Sequence, residues 1–216
     1  MKRTMTLGLL ASLAAGPALA HHPLAGMPME TFAHGLLSGI GHPVLGFDHL
    51  FFVALVGIAA IFTGRAFSAP AGYLGGMLVG CLAAMVGLAL PLTEVIVGAS
   101  LLVLGYIVLS GRALGFNAAI AIFAGFGLFH GQAFAGSIVG QEGGYSFAVG
   151  LGYLLGLIAV QYAIAIACGW LAKSVFQASE ATAMSARLSG AVVAGMGLFL
   201  SLENAEGAVF AALGLS

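Results

Sequence analysis

Six long apolar runs are the feature of this sequence that most restricts what it can fold into. Each run approaches the ~20 residues that an α-helix needs to cross the roughly 30 Å hydrocarbon core of a bilayer. A helix also satisfies its own backbone hydrogen bonds in lipid, which an open strand does not. The runs occupy residues 47–63, 70–90, 92–110, 116–137, 145–172 and 185–202. We therefore predict an all-α, polytopic membrane helix bundle with about six transmembrane helices in residues 47–216.

The shortage of charged side chains argues against a domain that is exposed to water. Only 6% of the residues are charged and 61% are hydrophobic, whereas an average soluble domain carries roughly 25% charged residues. The lipid bilayer is therefore an expected partner, and a formal net charge of −1 without a basic patch argues against nucleic acid. The 34 glycines suit close approach between membrane helices. The spacings Gly76-x-x-x-Gly80 and Gly136-x-x-x-Gly140 can pack helices within one chain or in a homo-oligomer.

Residues 1–20 have the pattern of a cleaved signal peptide. A basic dipeptide at positions 2 and 3 precedes a short apolar stretch, and Ala18-Leu19-Ala20 matches the small-x-small cleavage site. Cleavage after Ala20 makes His21 the first residue of the mature chain. An uncleaved first helix is the alternative.

Charge asymmetry sets the orientation of the predicted helices. A translocated signal peptide places the mature N-terminus outside, and the basic residues then fall in cytoplasmic loops, as the positive-inside rule requires. We predict a multi-pass protein of a bacterial inner membrane, with both mature termini in the periplasm. The basic loop residues are Arg65, Arg112, Lys173 and Arg187, and the acidic residues placed outside are Glu142, Glu203 and Glu206.

Residues 21–46 form a histidine-rich segment ahead of the first predicted helix. Prolines and glycines interrupt its apolar pattern, and it holds four of the six histidines of the chain. We expect this segment to lie on the outer face of the membrane or to dip into it as a re-entrant stretch.

Ionisable side chains inside the apolar runs are the candidates for function, since a charge at the centre of a membrane helix costs ~2.5–3.5 kcal/mol. Asp48 and His49 begin the first predicted helix, and Glu94 begins the third. His130 lies in the outer third of the fourth predicted helix. Three helices thus bring a carboxylate or an imidazole to a similar depth. These donors suit a divalent ion such as Ni²⁺, Co²⁺ or Zn²⁺.

The histidine-rich segment supplies further candidate metal ligands. His42 and His34 can join the same site from this segment. The imidazoles of His21 and His22, with the free amino group of His21, can capture a metal ion first. Two side-chain amides continue the predicted path inward: Gln132 and Gln161.

Each candidate also has a structural interpretation. Asp48 can cap the first helix, and Glu94 can be a first-turn carboxylate at the membrane interface. His34 can be an interfacial polar residue, and His130 can make a structural hydrogen bond. The two histidines that follow the cleavage site can simply be exposed there.

The motif His42-Pro43-Val44-Leu45-Gly46-Phe47-Asp48-His49 resembles the pattern H-P-x-x-G-x-D-H of the HupE/UreJ family of hydrogenase and urease accessory membrane proteins. A second His-Gly in a later helix, at His130, fits the same family. The resemblance covers essentially the whole mature chain. It implies secondary nickel or cobalt permeation, with His42, Asp48 and His49 as first-motif residues and His130 in the second motif.

The second motif departs from the family pattern H-G-x-A-H-G-x-E. Phe134 stands where the pattern has its second histidine, and Ser137 stands where it has a glutamate. Either the ion path is built differently here, or its selectivity has changed, or transport has been lost. Glu94 is the physical candidate for the missing carboxylate.

We therefore predict a secondary permease for Ni²⁺ or Co²⁺ that is not an enzyme and holds no stably bound cofactor. The sequence has no P-loop for ATP hydrolysis, so the ion must move down its gradient or with the membrane potential. The first alternative is a non-transporting accessory protein for maturation of hydrogenase or urease metal centres. A second is a membrane haem protein with His49 and His130 as axial ligands. A third is an intramembrane enzyme, although no H-E-x-x-H motif is present.

Overall fold

A computed structural model describes residues 28–140 and 144–214, and this part of the chain forms α-helices and their connections. The seven helices are α1 (Phe32–Leu45), α2 (Phe47–Ile61), α3 (Pro70–Met85), α4 (Thr93–Leu109), α5 (Phe116–Val139), α6 (Phe147–Ser174) and α7 (Met184–Ala212). The predicted fold class, an all-α membrane helix bundle, is confirmed. The predicted signal peptide, His21, His22 and Glu142 lie outside the described residues.

Helix length separates full membrane spans from shorter elements. α5, α6 and α7 have 24, 28 and 29 residues and are long and apolar enough to cross a bilayer. α1 and α2 pass the same test together but are bent by 81° at their junction, as in a broken span or a re-entrant loop. α3 and α4 are apolar but have 16 and 17 residues, which is about 24 and 26 Å of helix. Length and composition thus support three spans, or up to four, in the described part, and six spans stay a prediction.

The connection between α3 and α4 explains why α3 is shorter than its apolar run. Gly87 has φ 84° and Leu92 has φ 58°, so the chain takes the left-handed conformation on both sides of this connection. A left-handed residue just past a helix commonly ends it. The apolar run therefore continues to residue 90 while the helix stops at Met85.

α2 is the central helix, and it contacts each of the other six. Nine of its 15 residues are buried. A helix that is apolar on all sides belongs in the interior of a bundle. The first turn of α2 carries Asp48 and His49, so both residues lie where several helices meet.

Glycine faces let α3 and α5 pack backbone to backbone. A Cβ added at Gly76 would lie 2.1 Å from the carbonyl oxygen of Ala124, and one at Gly131 would lie 2.0 Å from that of Met77. The predicted glycine spacing that begins at Gly76 therefore packs helices within one chain. This contact holds the part of α5 that carries the second motif.

α1 is held along α6 in the same way. A Cβ added at Gly35 would lie 2.1 Å from the carbonyl oxygen of Val149, and one at Gly39 would lie 2.1 Å from that of Tyr153. The end of α1 that carries His42 is thereby brought beside α6.

We expect Gly76→Ala to lower the free energy of unfolding by about 1–3 kcal/mol, because its methyl group would overlap the backbone of α5. Gly75→Ala is the matched control, since Gly75 faces open space. Alanine at this position should favour the helix over glycine by about 0.5–1 kcal/mol. Thermal unfolding of both variants in detergent measures the difference. Equal stability of the two variants would contradict the close packing of α3 on α5.

Candidate functional site

Two histidines from α2 and α5 meet inside the bundle. The Nδ1 atoms of His49 and His130 lie 2.8 Å apart, which is hydrogen-bond distance. His130 has no exposed surface, and His49 is 5% exposed. The ring of Phe52 stacks on His130 with 4.4 Å between centroids, and Tyr73 stands edge-on to it at 5.9 Å. The pair is thus a polar contact enclosed by aromatic rings.

Ser100 of α4 completes this contact. Its Oγ lies 2.9 Å from Nε2 of His130 and donates to the carbonyl oxygen of Val97 at 2.6 Å. Both nitrogens of His130 are therefore engaged within the protein, which agrees with the structural interpretation of this histidine. Ser100 was not among the predicted site residues. The signal that could have indicated it is a hydroxyl in the middle of an apolar run.

His42 forms a second polar cluster with α5 and α6. Its Nδ1 lies 2.8 Å from the Oγ of Ser137 and 3.0 Å from the hydroxyl of Tyr153. Both hydroxyls also donate to the carbonyl oxygen of Phe134, at 2.8 and 2.7 Å. Ser137, where the family pattern has a glutamate, is thus in direct contact with a first-motif histidine. Tyr153 was missed by sequence reasoning because it lies on another helix, far along the chain.

The ring of Phe134 packs against both His49 and His42. Its centroid is 4.2 Å from that of His49 and 5.2 Å from that of His42, and the two histidine rings are 5.8 Å apart. Phe134 is fully buried. The residue that replaces the second family histidine therefore fills the space that both other histidines face.

Asp48 lies beside His49 just after the break between α1 and α2. Its Oδ2 is 3.7 Å from Nε2 of His49, and its side chain is 27% exposed. Gly46, not Asp48, occupies the cap position of α2, so the predicted cap hydrogen bond is wrong, although Asp48 does lie in the first turn, where a carboxylate suits the helix dipole. A Cβ on Gly46 would lie 3.0 Å from Cδ2 of His49 and 3.2 Å from Oδ1 of Asp48. The glycine of the motif thus leaves room for both side chains.

Two other predicted ligands occupy separate positions. Glu94 is exposed in the first turn of α4. His34 is near the start of α1, eight residues and about 12 Å along the helix from His42. Its Nδ1 accepts a hydrogen bond from the backbone N–H of Glu30 at 3.3 Å. The structure therefore places His34 at the beginning of α1, as expected for a structural polar residue.

The described residues contain no group of three His, Cys, Asp or Glu side chains that could hold a metal ion. The structure divides the predicted ligands into Asp48 with His49, and His42 with the hydroxyls of α5 and α6. The rings of His42 and His49 contact each other edge to face, and Phe134 packs against both. The metal-binding roles of the individual residues stay predictions.

The two glutamines predicted to extend the path inward are bonded to protein groups. Gln132 donates to the carbonyl oxygen of Leu88 at 2.9 Å, and its Oε1 accepts from the backbone N–H of Leu90 at 3.2 Å. The Oε1 of Gln161 accepts from the hydroxyl of Tyr73. These amides link helices and connections, which differs from the role predicted for them.

The direct contact between His49 and His130 argues against the haem alternative. Axial ligands must bind iron from opposite faces of a porphyrin. Two imidazole nitrogens that are 2.8 Å apart leave no space for the macrocycle between them.

A family model described as HupE / UreJ protein matches residues 9–200 of the chain. No curated protein and no solved structure matches this chain. The matched residues include both histidine motifs and the whole of the site described above.

Proposed function

This chain belongs to the HupE/UreJ family, and on that premise we propose that it is a secondary permease for Ni²⁺ or Co²⁺. The family is one of membrane proteins tied to nickel and cobalt handling. The observation that carries the proposal is the pairing of Asp48 with His49 at the break between α1 and α2. The site is the proposed outer-face entrance of the ion path.

The chemistry of this pair suits a first-row divalent ion. Imidazole nitrogen and carboxylate oxygen are ligands that nickel and cobalt accept. Ligand atoms lie about 2.0–2.2 Å from such an ion, so two neighbouring ligands are about 3 Å apart. The 3.7 Å distance between Oδ2 of Asp48 and Nε2 of His49 is within about 1 Å of this spacing.

The burial gradient across the pair supports movement of the ion into the protein. Asp48 is partly exposed, whereas His49 is nearly buried. The carboxylate can therefore meet a hydrated ion, and the imidazole can replace part of its water shell. Two ligands bind an ion more weakly than a complete coordination sphere does, which favours the release that conduction requires.

The membrane potential is the proposed driving force. Each positive charge gains about 2.3 kcal/mol per 100 mV on moving to the negative side, and a divalent ion gains about twice this. This is enough to accumulate the ion without ATP hydrolysis.

The alternative is a non-transporting accessory protein for maturation of hydrogenase or urease metal centres. Phe134 favours it, because an apolar ring packs against His42 and His49 at the position where the family pattern has a histidine. An accessory protein would need no continuous ion path, and metal accumulation would not depend on Asp48 or His49.

Metal accumulation in cells is the first test that distinguishes a permease from an accessory protein. We expect cells that express the wild-type chain to accumulate radioactive Ni²⁺ or Co²⁺, and His49→Ala to lower this accumulation at least about tenfold, since an inner ligand is lost. Glu203→Gln changes an exposed acidic residue on α7 and serves as the control. Equal accumulation by wild type and His49→Ala, at equal membrane abundance, would favour the accessory function.

A further inference from the structure

We propose that His130 is a positioning residue that keeps a proton on Nδ1 of His49, so that Nε2, the nitrogen that faces Asp48, is the one that binds the ion. Asp48 and His49 are the pair proposed above to bind the ion, so the effect of His130 on ion uptake rests on the proposed function. The inference itself follows from a chain of hydrogen bonds through α4, α5 and α2.

The chain begins at the carbonyl oxygen of Val97, which can only accept a hydrogen bond. The Oγ of Ser100 approaches it to 2.6 Å, so the single hydroxyl hydrogen of Ser100 must lie between these two oxygens. In its 2.9 Å contact with Nε2 of His130, Ser100 must therefore be the acceptor. His130 accordingly carries a hydrogen on Nε2.

The second nitrogen of His130 then has a defined role. His130 is fully buried, and its hydrogen-bond partners are a serine hydroxyl and another imidazole. A buried cation is costly unless an opposite charge pairs with it, so a neutral ring fits this environment. A neutral imidazole that is protonated on Nε2 has an acceptor at Nδ1.

The direction of the hydrogen bond between the two histidines follows. Nδ1 of His130 accepts, so Nδ1 of His49 must donate across the 2.8 Å contact. With Nδ1 protonated, Nε2 is the nitrogen of His49 that can release its proton and offer a lone pair to a metal ion. That nitrogen lies 3.7 Å from Oδ2 of Asp48.

Nε2 of His49 and the carboxylate of Asp48 therefore face the same gap, and they attract each other when His49 is protonated. A divalent ion that replaces the proton on Nε2 is held by both groups. Histidines that bind metals commonly donate their other ring N–H to an acceptor, which fixes the tautomer. In this protein a second imidazole is that acceptor, and Ser100 in turn holds the second imidazole.

Nitrogen NMR of the full chain labelled with ¹⁵N-histidine tests the tautomers directly. The chain has six histidines, so single-histidine variants assign the signals. We expect His49 to be protonated on Nδ1 and His130 on Nε2 in the metal-free protein. Zn²⁺, used as a diamagnetic probe, should shift Nε2 of His49 and leave the Nε2 proton of His130 in place. The opposite tautomer of His49, or loss of that His130 proton on addition of Zn²⁺, would overturn the proposal.

Ser100→Ala tests the origin of the effect, because it removes the acceptor that fixes His130. We expect His49 to populate both tautomers in this variant and Ni²⁺ uptake to fall roughly tenfold or more. Ser100→Thr keeps the hydroxyl and should restore the single tautomer. An unchanged tautomer in Ser100→Ala would overturn the proposal.

Ser110→Ala is the matched control, since Ser110 follows the same helix and donates to the carbonyl oxygen of Ile107 at 2.7 Å. This change should affect neither the tautomer nor uptake. Failure of the proposed function has a different signature, in which the predicted tautomers are present but the wild-type protein takes up neither Ni²⁺ nor Co²⁺. That result would support the positioning role of His130 and contradict the permease.

Discussion

Phe134→His is expected to raise the affinity of the purified protein for Ni²⁺ by at least about tenfold, equivalent to about 1.4 kcal/mol of binding free energy. The ring of Phe134 is 4.2 Å from that of His49 and 5.2 Å from that of His42, between centroids. An imidazole in its place would face both histidines and add a third nitrogen ligand. It would also restore the family pattern at this position. Isothermal titration with Ni²⁺ at constant pH measures the change.

Phe123→His is the matched control for this gain. Phe123 is also fully buried and lies on the same helix, about 16 Å along its axis from Phe134. A histidine there carries the same cost of burying a polar ring without the neighbouring imidazoles. Equal affinities of Phe134→His and Phe123→His, in folded protein, would show that position 134 does not face the metal site.

Asp48→Asn is expected to lower Ni²⁺ uptake by roughly 10- to 100-fold. The amide keeps the shape of the side chain but removes its negative charge. Opposite unit charges about 4 Å apart attract by about 4 kcal/mol at an effective dielectric constant near 20, and a divalent ion feels more. Loss of this attraction should weaken capture of the ion at the exposed end of the site. Initial uptake rates measured at several Ni²⁺ concentrations detect the change.

Glu94→Gln shows whether the loss is specific to Asp48. Glu94 is the other carboxylate predicted at this depth, and it is exposed on α4. Its neutralisation should lower uptake less than Asp48→Asn does, because the contact with His49 belongs to Asp48. A larger loss in Glu94→Gln would make Glu94 the carboxylate that binds the ion, as its place in the sequence suggested.

Six of the seven described helices were largely predictable because each overlaps an apolar run, whereas α1 was not, since prolines and glycines interrupt its pattern. α2 was predicted to begin at residue 47 and α5 at residue 116, and both begin there. The end of α3 was not predictable from hydropathy, because the left-handed turn at Gly87 interrupts an apolar stretch. The sharp bend between α1 and α2 was also not predicted, because the residues around Gly46 do not indicate the angle between these helices.

The site was predictable only in part, because its contacts depend on how each helix is rotated about its axis. Asp48 and His49 were identified from a local motif, which requires no knowledge of other helices. Ser100 meets His130 because α4 turns that serine toward α5, and nothing near Ser100 in the sequence indicates this orientation. The packing of Phe134 against two histidines is likewise a consequence of how α1, α2 and α5 are arranged.

The measurement that tests the permease most directly is uptake of radioactive Ni²⁺ and Co²⁺ into proteoliposomes that contain the purified wild-type chain and no other protein. We predict saturable uptake that increases when the interior is made negative, by about 4.6 kcal/mol of driving force per 100 mV for a divalent ion. Comparison of the two ions identifies the preferred substrate. Absence of uptake of either ion by folded, inserted protein would contradict the permease and leave the accessory function.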